Sequence, residues 1–214
     1  MVQLSNGRII AGAIQADTPI LLLRSTMADV PKLMEAASRW QKNFKTPLPL
    51  AANSKLAIIT CMDSRVHPER IFDMKLGDAE VLRNAGGRVT LDMIRSLVVS
   101  QEILKTTDIF VIHHTDCGGQ AAVRQHGMLI QAMLDKLPFL FGLVLRLLDT
   151  LSMTGLLLKP IRNLERSIYE DVEKLKSNPM VPESIGIYGF LYSTEDGSLK
   201  EITRRLPVRG KKLQ

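Results

Sequence analysis

"AEVLRNAGGRVTLDMIRSLVVSQEILKTTDIFVIHH", residues 79–114, decides the fold. It begins as a short apolar run, breaks at a glycine pair, continues behind Thr90 with apolar residues at helical spacing, and closes in a second apolar run, "DIFVIHH". Those segments predict strand, capped helix and strand. Upstream, "KLAIIT" is a further strand candidate, and Pro68 opens a brief helix, "PERIFDM", after a loop. Parallel neighbours need long crossovers, so strands alternating with helices imply parallel pairing. The reading is an α/β fold with a central, mainly parallel β-sheet flanked by helices.

Further out, "ADVPKLMEAASRWQKNF" has helical spacing, with Asp29 and Pro31 fitting a helix start, and gives an N-terminal helical arm over about residues 27–45. "TPLPLAANS" then serves as a connector. After Gly119 a helix is expected, then a strongly apolar stretch, then the amphipathic helix "RNLERSIYEDVEKLKSNP", stopped near Pro179. "SIGIYGFLYSTEDGSLKEI" predicts a C-terminal hairpin around an Asp196-Gly197 turn.

The totals bound the function. A chain of 214 residues supports one sizeable core, read here as a single domain over residues 1–214. Its 45% hydrophobic and 23% charged residues are those of a folding globular protein. The net charge of +6 sits largely in Arg204, Arg205, Arg209, Lys211 and Lys212, with no aromatic-basic interleaving, so no nucleic-acid partner is expected. Pro138, Arg146 and Asp149 interrupt the apolar stretch 137–158, which argues against a membrane span and for burial in a pocket or subunit contact. The N-terminus lacks a secretory pattern, which implies a cytoplasmic protein. Acid-poor "RIIAGAIQADTPILLLR" leaves a mitochondrial leader as the alternative.

In open α/β sheets, ligands bind beyond the carboxyl ends of the strands. The first such end carries Cys61, Asp63 and Arg65; the second Arg83, Asn84, Gly86 and Gly87; the third His113, His114, Asp116 and Cys117. Both cysteines of the chain therefore fall at strand ends, and His114 stands three residues before Cys117. Two thiolates and an imidazole suit Zn²⁺, and three protein ligands with a fourth position for water is the pattern of a catalytic site. The alternatives are two buried cysteines or a disulfide, with His114 a hydrogen-bonded core residue. A phosphatase-like nucleophile would want an arginine six residues after the cysteine, where this chain has His67.

"CMDSR", "RNAGG" and "HHTDCGG" resemble the sheet-end motifs of the β-class carbonic anhydrases, particularly the short, archaeal-like branch that includes carbonyl sulfide and carbon disulfide hydrolases. "SIYEDVEKLKSNPMVPESIGIYGFLYSTEDGSLKEI" is similar to the helix and hairpin that close that family's domain, so the resemblance covers roughly residues 55–125 and 163–202. It implies Cys61, His114 and Cys117 as zinc ligands and Asp63 and Arg65 as a catalytic dyad, with an ordinary ion pair the alternative for the last two; Gly86, Gly87 and Gly118 are candidates to border the substrate, with a tight turn the alternative for Gly86 and Gly87. It further implies a homodimer or dimer of dimers, with the N-terminal helix packing on the partner.

The implied reaction is reversible hydration of carbon dioxide to bicarbonate, because zinc lowers the pKa of its water enough to supply hydroxide near neutral pH. Two thiolates neutralise the ion's charge, so local hydrogen bonding must help. Asp63 can accept the nucleophile's proton and aim its lone pair, while Arg65 keeps Asp63 off the metal. His67, His113 and His126 are candidate proton carriers, with a core role the alternative for His113. Gly119 stands where short relatives often have methionine, and the stretch 137–158 is more apolar than the family leads one to expect. Carbonyl sulfide or carbon disulfide hydrolysis at the same zinc site is therefore the second reading, and a non-catalytic, zinc-stabilised assembly domain the third.

Overall fold

A computed structural model describes residues 28–44, 47–118, 120, 161 and 163–208. The chain divides into two compact units, residues 1–47 and 48–214. In the first, α1 (Val30–Asn43) starts where the sequence predicts: an Asp29 carboxylate oxygen accepts from the Lys32 N–H at 3.1 Å, and Pro31 sits in the first turn. Its apolar residues Val30, Leu33, Met34 and Trp40 are all exposed.

The second unit holds β1 (Leu56–Cys61), α2 (Pro68–Ile71), β2 (Ala79–Asn84), α3 (Leu91–Glu102), β3 (Asp108–His114), α4 (Leu164–Lys176), β4 (Gly186–Tyr192) and β5 (Leu199–Arg205). The sheet order is β2-β1-β3-β4-β5, parallel throughout except for the antiparallel β4–β5 pair. The expected mainly parallel sheet, flanking helices and closing hairpin are all present.

β1 is buried along its whole length, as a central parallel strand covered on both faces must be. Ala57 and Ile59 point to one face, where they join Ile94 and Leu97 of α3 and Ile168, Val172 and Leu175 of α4. Leu56 and Ile58 point to the other, with Ile112, Phe72, Phe110 and Phe190. Each large aliphatic side chain buried this way contributes about 1.5–3 kcal/mol. Register then aligns the site: Cys61 pairs with Asn84, and Thr60 with Ile112, so β1, β2 and β3 end at nearly one level.

Three boundaries differ from expectation. β1 runs one residue further, so Cys61 is part of the strand. The brief helix stops at Ile71 because Asp73 takes a left-handed φ of 50°, which no helix continues. The hairpin's last pair is Tyr192–Leu199, and Asp196-Gly197 lies inside the loop 193–198, where the Gly197 N–H donates to the Ser193 carbonyl at 3.0 Å. The helix expected after Gly119, the apolar stretch 137–158, His126, the N-terminal stretch 8–24 and the tail Arg209, Lys211 and Lys212 lie outside the described residues. Among those described, no helix is long and apolar enough to cross a membrane.

Candidate metal centre

The carboxyl ends of β1 and β3 bring Cys61, His114 and Cys117 together. One ligand atom from each lies within 4.8 Å of the other two, and all three residues are buried. The sulfurs are 3.8 Å apart and not bonded to each other, which removes the disulfide alternative. Ile161 and Leu164 pack around the cysteine pair and make the niche apolar.

The His114 ring is fixed by its own loop. Its Nδ1 donates to the Thr115 carbonyl at 2.8 Å, which fixes the tautomer and leaves the lone pair on Nε2. That Nε2 is buried and has no hydrogen-bond partner among the described residues. A buried nitrogen left without a partner is costly unless something else binds it. Burial pushes the imidazole pKa down, but the Cys61 sulfur beside it raises it overall. Conversely, hydrogen bonding from Cys117 holds the Cys61 thiol down, to about 4, against burial and with help from His114 and from the backbone N–H groups of Asp63 and Gly86. Two thiolates and a neutral imidazole are the forms a divalent cation requires.

Asp63 stands beside this trio, with Oδ2 3.9 Å from His114 Nε2. Arg65 grips it by three donors: the backbone N–H at 2.9 Å and Nε at 3.0 Å reach Oδ1, and Nη2 reaches Oδ2 at 2.8 Å. The guanidinium holds the Asp63 carboxyl well below the usual carboxylate range, so it is ionised. Arg65 also donates to Asp116, from Nη1 to the carboxylate at 2.8 Å and from Nη2 to the carbonyl at 2.9 Å.

The turn after β2 completes the site. Gly86 and Gly87 have φ of 82° and 66°, and both are buried. A Cβ on Gly87 would lie 2.9 Å from the Cys61 nitrogen and the Thr60 carbonyl carbon, so only glycine fits. The Asn84 side chain closes the turn by donating to the Arg88 carbonyl and accepting from the Arg88 N–H, at 2.8 and 2.9 Å. Gly118, by contrast, is exposed with open space around it.

Several residues hold the site without having been assigned a role from sequence. Arg83 donates to the Cys61 carbonyl at 3.0 Å, to the Asp63 carbonyl at 3.3 Å and to the Val66 carbonyl, fastening the loop after β1. Its place at a strand end was the available signal. Asp116 stood in plain view inside "HTDCGG", but no local pattern pairs it with Arg65. His113 is fully buried and hydrogen-bonded to Ser167 and Gly87, so it takes the core role and cannot carry protons to solvent. His67 is exposed at the start of α2.

A family model for carbonic anhydrase matches residues 56–199. "Beta-carbonic anhydrase 1" of Mycobacterium tuberculosis is 32% identical over 170 residues, covering 77% of this chain and 91% of that protein. A carbon disulfide hydrolase of Saccharolobus solfataricus is 35% identical over 167 residues, covering 71% and 79%. Among solved structures, a carbonic anhydrase from Streptococcus mutans superposes with a TM-score of 0.66 at 35% identity, covering 83% of this chain and 99% of that one.

Proposed function

The chain belongs to the β-class carbonic anhydrase family, and on that premise we propose that it is a zinc enzyme hydrating carbon dioxide reversibly to bicarbonate. The carrying observation is the buried, unpartnered Nε2 of His114 facing two unbonded sulfurs, with an arginine-clamped carboxylate beside them. Two sulfurs each about 2.3 Å from one tetrahedral zinc would stand about 3.8 Å apart. Cys61 and Cys117 stand at 3.8 Å.

In this reading Cys61, His114 and Cys117 hold the metal. Zinc, when bound, lowers the pKa of a water ligand and so supplies a nucleophile near neutral pH. Asp63, kept ionised by Arg65, accepts a hydrogen bond from that nucleophile and orients it. Because Arg65 engages both Asp63 oxygens, the carboxylate would stay paired with the guanidinium and leave a metal held by Cys61, His114 and Cys117 open to solvent. The Gly86-Gly87 turn brings backbone close to the site, and Gly118 borders it on the side of β3. Residues 1–214 then form one catalytic domain with the helical arm at its N-terminal end. The exposed apolar residues of α1 support assembly as a homodimer or dimer of dimers.

Hydrolysis of carbonyl sulfide or carbon disulfide at the same site is the second reading. The carbon disulfide hydrolase relative and the apolar niche of Ile161 and Leu164 favour it, since both gases are linear, apolar and attacked at carbon. The deciding experiment loads the protein with zinc and compares rates on carbon dioxide, carbonyl sulfide and carbon disulfide side by side. A carbon dioxide rate exceeding the others by orders of magnitude supports the first reading, and the reverse order replaces it. Full zinc occupancy with no turnover on any gas would leave an assembly domain.

A further inference from the structure

Behind the site runs a buried polar chain that the proposed reaction does not use. Asp171 of α4 is 1% exposed and accepts from Arg88 Nε at 2.6 Å. His113 Nε2 lies 3.4 Å from Asp171 Oδ2 and 3.2 Å from the Gly87 carbonyl. Two acceptors face Nε2, so that nitrogen carries the hydrogen. At the other side of the ring, Nδ1 is 2.8 Å from the Ser167 hydroxyl, also on α4. The imidazole is therefore oriented by α4 and delivers its N–H to the glycine turn.

That turn lies against the end of β1 at the site. Gly87 presses against the backbone of Thr60 and Cys61, with no room for a Cβ. Asn84 and Arg88 close the same turn from its two ends. A ligand's donor atom stands where its own backbone puts it, so a turn packed on Cys61 helps to set the geometry of its sulfur at a bound metal.

We propose that His113, Asp171, Ser167 and Arg88 form a positioning network that fixes the Gly87 carbonyl and so holds the glycine turn against the Cys61 backbone, setting the place of the Cys61 side chain at the metal centre from α4. This deepens the zinc reading and rests on it. The four are positioning residues, since none touches substrate or metal. They bury charge behind a turn that lies against the Cys61 backbone.

The test uses cobalt as the probe, because thiolate-to-cobalt charge-transfer bands report sulfur donation directly. Wild type, Ser167→Ala, Asp171→Asn and the control Ile168→Val, a buried α4 residue outside the network, are loaded with Co²⁺. The bands and the cobalt affinity, by chelator competition, are then recorded. The network predicts that Ser167→Ala and Asp171→Asn both shift the bands and weaken cobalt binding by about tenfold. Ile168→Val should lower the melting temperature and leave both readouts unchanged. Unmoved bands and affinity in Ser167→Ala overturn the proposal, whether or not Asp171→Asn folds. A wild type that takes up no cobalt sinks the metal reading itself, whereas one that shows thiolate bands but hydrates no gas sinks only the catalytic reading.

Discussion

Arg65 and Asp116 lie 51 positions apart in the chain, yet the guanidinium donates twice to Asp116 at 2.8 and 2.9 Å while it clamps Asp63. The loop after β1 and the loop after β3 are thus tied together at the mouth of the site. Asp116 takes a left-handed φ of 51°, a conformation aspartate tolerates better than most residues. Asp116→Ala should leave metal content intact and lower turnover about threefold to tenfold, less than Arg65→Ala does. Paired with Arg65→Ala in a double-mutant cycle, it should add almost nothing, because the two removals share one contact. Additive losses would show that Asp116 acts elsewhere.

Asp63→Ala is expected to retain zinc and lose about 10- to 100-fold in carbon dioxide hydration. Stopped-flow rates set beside metal analysis of the same sample check this. Loss of metal in step with activity would make Asp63 a ligand rather than an orienting group.

Cys117→Ser should abolish zinc binding, since a neutral hydroxyl replaces one of two thiolates in a three-residue ligand set. Its melting temperature should also stop responding to added zinc, unlike that of wild type. An active, metal-free Cys117→Ser protein would contradict the assignment.

The two glycine positions should separate sharply. Gly87→Ala places a Cβ 2.9 Å from the Cys61 backbone at a φ of 66°, and is expected to destabilise by about 2–4 kcal/mol. At Gly118 nothing lies within 4 Å of an added Cβ, and alanine should change stability by less than about 0.5 kcal/mol. Urea unfolding of both variants gives the comparison.

Acid should act through Asp171. Burial pushes its carboxyl up, but the His113 hydrogen bond and the Arg88 charge bring it below the ordinary value. A carboxyl depressed in the folded state binds fewer protons there than when unfolded. Its stabilisation is therefore complete above the unfolded pKa of about 3.9 and lost as pH falls through the lower folded value. The urea midpoint of wild type should fall below about pH 4, and that of Asp171→Asn should start lower and fall less steeply over the same window. Parallel profiles would remove Asp171 from the acid response.

The strand ends were legible because a buried parallel strand must be apolar until it reaches the surface, so the first polar or ligating residue after "LAIIT" or "DIFVI" marks the mouth of a site. Cys61, His114 and Cys117 stood out for that reason, and Asp63 and Arg65 because only one residue separates them. The Arg88–Asp171 pair was hidden, since its members are 83 positions apart and each looks like an ordinary surface charge in its own segment. Likewise, the hydrogen bonds of His113 depend on α4 crossing behind β3, which no local spacing encodes.

By itself the sequence determined the order of strands and helices, the parallel sheet and the identity of the residues at its carboxyl edge, because hydrophobic period and chain reversal are local properties. Tertiary structure alone decided that two cysteines 56 positions apart come within 3.8 Å without a disulfide, that a histidine nitrogen near them has no hydrogen-bond partner among the described residues, and that a helix near the end of the chain reaches the turn behind them. Those are distances between separate elements, set by how the sheet and α4 pack, and packing is settled only when every buried group has found its neighbours at once.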